Sequence, residues 1–560
     1  MKRRNVLKTL SLLPLAGSAI PFNSSLATPL ANNLSAAPFN TGSPVEITLE
    51  SFLDKNNIYR RHGIEPVINC RGIFTIIGGS LKRPQVKVAM EEASKNFAQM
   101  DEVADGIGQE LANLTGAEWG VVSAGCAAGL KLVTAAVVAG GDPEKLVRIP
   151  NLEGLEKTEV IVPRTSRNAY DHAIRNIGVT MVNVDSMEEL ENAINSKTAM
   201  IYLVNGDRSW TGAPMSLENI VAVAKTKNIP VLFDAANEIL TFPPVHLKRG
   251  ATIVAYSGGK AICGPQSCGL ILGNKEILSS AWLASSPHHG PCRDNKVDRD
   301  EMFGMVAAVR AWKEIDHDAI LKQWYSYLDH IIKKVSGIKS VQTMIHVPST
   351  QSGLSNVSPE VVISWDKDVL NITGLEMADE LARTKPRIAV AAGGGRGKDS
   401  NVNGIAVTTI GMQAGEEKIA ADKIYKILTA KRSPIITEMK APAQSLAGSW
   451  DVDVKFSSST AKHKLFIEQD GNWIKGGHQT TFAVSDLTGS IEGNQIRLQS
   501  SLRLIGDHVP YTFTGTVSGD QMTGSIFMGE YRSAKFTAVR DKKMGPKQKI
   551  FVPSGAPLAS

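Results

Sequence analysis

The 560-residue chain is poor in cysteine and aromatic residues, and its cysteines lack the spacing that metal sites require. No pair or cluster among the five has zinc-ligand spacing, so we expect no zinc site and no other metal centre. We interpret them as small apolar fillers, while a disulfide between the closely spaced Cys263 and Cys268 stays open for an oxidising compartment. The five are Cys70, Cys126, Cys263, Cys268 and Cys292.

Dense basic blocks and long apolar runs are also missing. The net charge of +6 is spread over the whole chain, which argues against nucleic acid as a partner. The longest early apolar run, Leu10 to Ile20, is too short and too rich in Ser, Gly and Pro to span a membrane. Arg3 and Arg4 precede that run, and together they predict a twin-arginine export signal and a periplasmic or secreted protein. The alternative is a basic N-terminus without a targeting role.

The most informative stretch is ATIVAYSGGKAICGPQSCGLILG, from Ala251 to Gly273. Two apolar runs flank a Gly-rich turn that carries Lys260, a pattern that predicts two buried strands joined by a tight turn. Burial on such an edge disfavours the ammonium form, so the amine of Lys260 becomes a better nucleophile. The alternative is a surface hairpin with a solvated lysine.

Two upstream segments complete a cofactor pattern. Asp234 ends the apolar run that begins at Val231, and such an acid keeps the pyridine nitrogen of pyridoxal phosphate protonated. Small residues from Ser123 to Gly129 follow a short apolar run and open a predicted helix, whose free amides suit a phosphate. The cofactor-binding candidates are Ser123, Gly125, Cys126, Asp234, Ala236, Ser257 and Lys260.

These segments resemble the fold-type I pyridoxal-phosphate enzymes, specifically the group around bacterial selenocysteine synthase and D-glucosaminate-6-phosphate ammonia-lyase. Val67-Ile68-Asn69, Thr75 to Ser80 and Tyr170 to Ala173 add to the resemblance, which covers roughly residues 56 to 430. The resemblance implies pyridoxal 5'-phosphate held by Lys260 as a Schiff base, a small amino-acid-like substrate, and a homo-oligomer, dimeric or larger. It also implies that Ser257 binds the cofactor phosphate, although Ser257 could equally cap a turn.

Further site candidates depend on position near the motif. Arg396, in a Gly-rich stretch, and Lys296 are candidates for binding the substrate's carboxylate or phosphate, with a solvated surface role open for each. Family members often place a histidine near the position of Ser166, to stack on the cofactor ring; Arg167 and His172 lie nearby in this chain. Asn205 and Arg208, after a predicted strand, complete the candidates that border the site.

The order of predicted elements defines the fold class. Alternating strands and helices predict an α/β, PLP-transferase-like fold: a mostly parallel sheet with helices on both faces, then a small α/β subdomain. From Gly448 the apolar period changes to two, with about eight short strands and turns, which predicts an all-β antiparallel barrel. His463, His478 and His508 fall on different strands there, and we expect no metal site from them. The predicted segments are a signal peptide (1–30), a linker (31–48), the PLP-binding domain (49–330), the small domain (331–432), a second linker (433–446), the barrel (447–541) and a tail (542–560).

Three functions follow from this pattern. The first is a pyridoxal-phosphate lyase acting on an amino acid or amino-sugar acid by β-elimination or replacement, with ammonia release. The second is an aminotransferase on the same cofactor, because the common carbanion can partition in several ways. The third is a non-catalytic secreted binding protein, against which the intact Lys260 and Asp234 argue.

Overall fold

A computed structural model describes residues 46–348, 352–393, 403–434 and 438–541. The predicted export signal, Arg396 and the predicted C-terminal tail lie outside these residues. The helices of the described residues are α1 (Leu49–Phe52), α2 (Ile58–Arg61), α3 (Pro84–Ala93), α4 (Met100–Thr115), α5 (Cys126–Ala139), α6 (Pro143–Leu146), α7 (His172–Arg175), α8 (Met187–Ala193), α9 (Leu217–Thr226), α10 (Val245–Lys248), α11 (Lys275–Leu283), α12 (Arg299–Glu314), α13 (His317–Val335), α14 (Lys367–Leu370), α15 (Gly374–Arg383) and α16 (Glu416–Leu428). Among the described residues, the structure contains no helix with the length and apolar character needed to cross a bilayer.

A seven-stranded sheet forms the centre of the large domain. Its spatial order is β2-β8-β7-β6-β5-β3-β4, and β8 runs against both of its neighbours while the other six strands share one direction. The sheet is therefore mixed, with the predicted parallel majority. Its strands are β2 (Trp119–Ser123), β3 (Glu159–Pro163), β4 (Thr180–Val184), β5 (Thr198–Val204), β6 (Val231–Asp234), β7 (Ile253–Ser257) and β8 (Gly269–Gly273), and the chain before them contributes β1 (Val67–Asn69).

Helices cover both faces of this sheet, as the alternation predicts. One face packs on α4, α9 and α12 through an apolar cluster that includes Leu111, Ile220 and Met305. The other face packs on α5, whose residues are apolar on all sides because the helix is buried. Small side chains such as Ala135 let α5 lie close to the sheet.

Two helices, α3 and α4, precede the first strand of the large sheet. The second of them, α4, begins at Met100 because the side chain of Gln99 accepts hydrogen bonds from the amides of Asp101 and Glu102. Gly106 does not interrupt α4, since it lies on an exposed side of the helix. The segment from Leu49 to Arg61 forms two short helices, α1 and α2.

The small domain is built on a four-stranded sheet of order β12-β13-β10-β9. Its apolar core lies against α13, α15 and α16 and includes Leu328, Met377 and Ile424. The segment from Arg387 to Ala392 forms two short strands, β11 and β12, and β11 pairs in parallel with β1, which ties the N-terminal segment of the large domain to the small domain. The strands are β9 (Gln342–His346), β10 (Glu360–Ser364), β11 (Arg387–Ala389), β12 (Ala391–Ala392) and β13 (Gly404–Thr408).

The last described segment is a closed antiparallel barrel of eight strands, which confirms the predicted all-β fold. Buried apolar side chains alternate with exposed ones, and Trp450 lies inside, with its indole donating to the carbonyl of Leu446. Its strands are β14 (Gly448–Lys455), β15 (Thr460–Asp470), β16 (Trp473–Gln479), β17 (Val484–Glu492), β18 (Gln495–Leu504), β19 (Asp507–Ser518), β20 (Gln521–Phe527) and β21 (Ser533–Arg540).

Candidate active site

The predicted cofactor residues meet at one edge of the large sheet. Ser123 ends β2, Asp234 ends β6 and Ser257 ends β7, and these three strands run in the same direction. Gly269, the first residue of the reversed strand β8, pairs with both Ser123 and Ser257. Because β8 runs in the opposite direction, the turn that follows Ser123 and the turn that carries Lys260 lie on either side of Gly269.

Lys260 lies in the turn between β7 and β8, and backbone contacts hold this turn rigidly. The amide of Gly258 donates to Cys268, and the amide of Gly264 donates back to Gly258. A Cβ atom on Gly259 would lie 2.6 Å from Cα of Gln266, so only glycine fits at that position. Lys260 itself is half-buried and lines a cavity.

The turn after β2 has free backbone donors. Gly125 has a φ of 95°, and the first bond of α5 runs from the amide of Gly129 to the carbonyl of Gly125. Amides 126 to 128 therefore precede the helical ladder and point from its positive end, as a phosphate requires. Ser123 uses its hydroxyl to bond the carbonyl of Gly125, so it shapes the turn.

Asp234 is a fully enclosed carboxylate. Its Oδ1 accepts from the amide of Ala236 at 2.9 Å and lies 3.8 Å from Sγ of Cys126, and its Oδ2 accepts from the hydroxyl of Tyr202 at 3.0 Å. Burial raises the pKa of Asp234, and these hydrogen bonds partly offset the effect. The positive charge of Lys260 also lowers this pKa, and a protonated ring nitrogen would stabilise the carboxylate in the same way, so the residues fit pyridoxal phosphate.

Tyr202 and Asn168 were not predicted from the sequence. Burial and the nearby Asp234 raise the pKa of the Tyr202 phenol, so it stays a donor to that carboxylate. Asn168 donates from Nδ2 to the Tyr202 hydroxyl at 3.3 Å and to the carbonyl of Ser166. Tyr202 lies within the apolar strand β5, so the sequence around it does not predict a polar role.

Asn356 of the small domain connects the two halves of the site and was also not predicted. Its Oδ1 accepts from the amide of Ala261, beside Lys260, and its Nδ2 donates to the carbonyl of Glu238 at 2.9 Å. Asn356 is buried, and its own amide donates to Asn237. It therefore ties the turn that bears the lysine to the loop that follows Asp234.

Several predicted neighbours have other roles or positions. Arg167 is buried in an ion pair with Asp171 and also bonds Asn183, so it holds its loop together. His172 and Lys296 are exposed, and neither lines the cavity that contains Lys260. Arg396 lies outside the described residues, so its predicted role stays a prediction.

The remaining candidates near the ring position line a small separate cavity of about 120 Å³. Ser166 is buried there and accepts from the amide of Val204, while Arg208 is exposed. Asn205 donates its amide to the carbonyl of Asp234. Ser257 offers its carbonyl to the amide of Lys260.

The cysteines are free thiols, including Cys263 and Cys268, so the disulfide that the sequence left open is not formed. Burial and the carboxylate of Asp234 raise the pKa of the Cys126 thiol, which keeps it a neutral donor. Within the described ranges, the structure shows no group of three or more His, Cys, Asp or Glu side chains that could hold a metal ion.

Comparisons with known proteins identify the kind of enzyme. The model of the DegT/DnrJ/EryC1/StrS aminotransferase family matches residues 83–241. A D-glucosaminate-6-phosphate ammonia lyase of Salmonella typhimurium is 32% identical over 269 residues, which cover 46% of this chain and 70% of the relative. The chain belongs to the same family of pyridoxal-phosphate enzymes as this lyase. An L-seryl-tRNA(Sec) selenium transferase of Proteus mirabilis is 26% identical over 291 residues, 47% of this chain and 60% of that relative.

A solved structure shows the same fold. The structure of a D-glucosaminate-6-phosphate ammonia-lyase aligns with a TM-score of 0.59 at 24% identity, covering 67% of this chain and 99% of that one. The predicted PLP-transferase-like fold is thus confirmed. As a family member the chain is an enzyme, of a class that includes lyases and aminotransferases, and its cofactor is pyridoxal phosphate. The third hypothesis, a non-catalytic binding protein, does not hold.

Proposed function

We propose that this enzyme is a lyase that releases ammonia from a β-hydroxy amino acid of the amino-sugar-acid type, such as D-glucosaminate-6-phosphate. The observation that carries the proposal is the arrangement of Lys260 and the buried Asp234 on adjoining strand ends, in a chain 32% identical to a lyase of that name. The alternative function is that of an aminotransferase, and the description of the matching family supports this alternative.

Each residue of the site has a distinct part in this chemistry. When bound, pyridoxal phosphate withdraws electrons from the carbon that bears the substrate's amine. Asp234 would keep the ring nitrogen protonated, and the amides at the start of α5 would hold the phosphate. Lys260 would hold the cofactor, and its amine would then remove the proton from the substrate carbon.

The overall reaction balances without any second amino-acid substrate. The β-hydroxyl group leaves as water, one water is taken up again, and nitrogen leaves as ammonia. The product is a 2-oxo acid with a methylene group at its β position. No electron acceptor or amino acceptor is needed, which separates this reaction from transamination.

The test is ammonia release by the purified, cofactor-loaded enzyme. We expect D-glucosaminate-6-phosphate or a related β-hydroxy amino acid to yield ammonia and a 2-oxo acid without an added acceptor. Lys260→Ala should lose this activity, and borohydride treatment of the wild type should attach the cofactor covalently to Lys260. Product that forms only when a 2-oxo acid is supplied would establish the aminotransferase instead.

We also propose that the protein is exported through the twin-arginine route to the periplasm or beyond. Arg3 and Arg4 before a short apolar run support this proposal, and the route carries folded proteins, so the cofactor could be loaded before export. Replacing both arginines by lysine should retain the protein in the cytoplasm, as measured by cell fractionation. Unchanged export of that variant would contradict the proposal.

A homodimer is the oligomer that we propose. Ile76, Leu81 and Phe97 precede α4 and are 75%, 63% and 99% exposed, which is unusual for three large apolar side chains so close in sequence. This segment borders the lysine turn, where Ser80 bonds Gly259. Sedimentation should show a dimer that Phe97→Ser with Ile76→Ser weakens; a fully active wild-type monomer would refute it.

A further inference from the structure

The cleft beside Lys260 is a cavity of about 600 Å³ between the large and small domains. Most of its lining is apolar, and Trp312, Trp324 and Phe242 contribute large surfaces. Against this background two cationic side chains, Lys260 and Arg83, share the same space. A pocket with an apolar body and a few charged groups is typical of a small-molecule site.

Arg83 is a cation that lacks a hydrogen-bonding partner there. Its Nε is buried and makes no hydrogen bond, and within the described parts of the chain its guanidinium forms no ion pair. Asp318 lines the same cavity but does not pair with Arg83. The guanidinium lies 5.9 Å from the ring centroid of Trp312, a contact that leaves its N–H groups available.

The backbone of Arg83 is fixed against the lysine turn. Its amide donates to the carbonyl of Cys263, and Pro84 begins α3 directly after it. Ser80, just before it, bonds the carbonyl of Gly259 through both its amide and its hydroxyl. The segment from Ser80 to Arg83 therefore bonds the lysine turn at Gly259, which precedes Lys260, and at Cys263, which follows it.

Arg83 is half-buried, and its buried Nε without a partner is costly to keep, because the desolvation of this N–H is not offset by a hydrogen bond. A carboxylate or phosphate matches its planar fork with two parallel hydrogen bonds. We propose that Arg83 binds an anionic group, carboxylate or phosphate, of the substrate that reacts at Lys260. This assignment rests on the proposed function, since it names the substrate class of the same site.

Two substrates that differ only in phosphate distinguish the two sources of negative charge. D-glucosaminate-6-phosphate carries a carboxylate and a phosphate, whereas D-glucosaminate carries only the carboxylate. Arg83→Gln should raise KM about 10- to 100-fold with a much smaller change in kcat, because the bond exists before and during the reaction. A rise for both substrates identifies the carboxylate as the bound group, and a rise for the phosphorylated one alone identifies the phosphate.

Two further variants test whether the change in KM arises from the Arg83 side chain itself. Lys87→Gln removes an exposed positive charge from the next turn of the same helix and should leave KM within about twofold. Arg83→Lys keeps the charge but not the fork, and should recover only part of the affinity. An Arg83→Gln variant with normal KM for both substrates, or one that merely matches Lys87→Gln, would overturn the proposal.

A binding measurement separates this proposal from the proposed function. In the cofactor-loaded protein the cofactor occupies the phosphate site at α5, so added phosphate or acetate reports on other anion sites. Isothermal titration should show at least one anion binding about tenfold more weakly to Arg83→Gln than to wild type. If no substrate releases ammonia but this difference appears, the function fails and the anion site stands. Equal binding by both proteins overturns the anion site.

Discussion

A Cβ atom built on Gly506, in the hairpin between β18 and β19, would lie 2.6 Å from the backbone nitrogen of Asn168. The barrel therefore touches the loop whose Asn168 side chain bonds Tyr202, which in turn bonds Asp234. This contact connects the C-terminal barrel to the active site, because Asn168 is two hydrogen bonds away from Asp234.

Gly506→Ala should disturb the active site from the barrel. The added methyl group has to push the backbone of Asn168 aside, and we expect the cofactor dissociation constant to rise about threefold to tenfold. The measurement is a cofactor titration followed by absorbance. Gly471→Ala is the matched control, because Gly471 has a φ of 55°, near the 78° of Gly506, and no atom within 4 Å of its added Cβ.

Both glycine variants should lose about 1–2 kcal/mol of stability from the left-handed backbone conformation. Only Gly506→Ala should also alter cofactor binding. Equal cofactor affinity in the two variants would show that the hairpin contact does not reach the site.

Tyr202→Phe should weaken the site although it removes a single oxygen. The change takes away the donor to Oδ2 of Asp234, so we expect kcat/KM to fall about 10- to 100-fold, as for other hydrogen bonds to charged groups. Tyr256→Phe is the control: that tyrosine is equally buried, and its hydroxyl makes no hydrogen bond in the described structure. Removing an unsatisfied hydroxyl should leave stability unchanged or raised, measured by thermal unfolding. Similar activity losses in both variants would contradict a specific role for Tyr202.

Asn356→Ala should loosen the lysine turn. The amide of Ala261 and the carbonyl of Glu238 would both lose a buried partner, at a cost of about 1–3 kcal/mol. Hydrogen exchange measured by mass spectrometry should accelerate in the peptide that contains Lys260. Asn356→Asp keeps an acceptor for Ala261 and should protect that peptide better than alanine does. Unchanged exchange in Asn356→Ala would mean that the turn is held without this side chain.

The barrel should lose stability in mild acid because of two buried imidazoles. His463 Nδ1 and His478 Nε2 lie 3.0 Å apart, and burial lowers the pKa of His463 to about 4 and that of His478 to about 3. Unfolded histidine titrates near 6.5, so between these values the unfolded chain binds more protons than the folded one. Stability therefore rises with pH through this interval and levels off above about pH 6.5.

At pH 5 each imidazole should cost about 2 kcal/mol relative to pH 7.5. The measurement is the urea midpoint of barrel peptides in pulsed hydrogen-exchange mass spectrometry. Replacing His463 and His478 by leucine should flatten the pH dependence, whereas leucine at the exposed His508 should not. A wild-type midpoint that is equal at pH 5 and pH 7.5 would refute the effect.

The local pattern of the chain was sufficient to predict which strand ends carry the candidate cofactor residues. Lys260, Asp234 and the turn from Ser123 to Gly129 each stand where an apolar strand ends, and strand ends can be read from a short window of residues. The closed barrel was predictable for the same reason, since a period of two is a property of each strand alone.

The tertiary structure alone decided which distant side chains reach the candidate site. Tyr202, Asn356 and Arg83 reach it from three separate segments, and none of them departs from the local pattern of its own element. Lys296 had a suggestive position in sequence but is exposed and away from the cavity. Hydrogen bonds and burial between segments depend on how the elements pack, and packing leaves no periodic trace in the sequence.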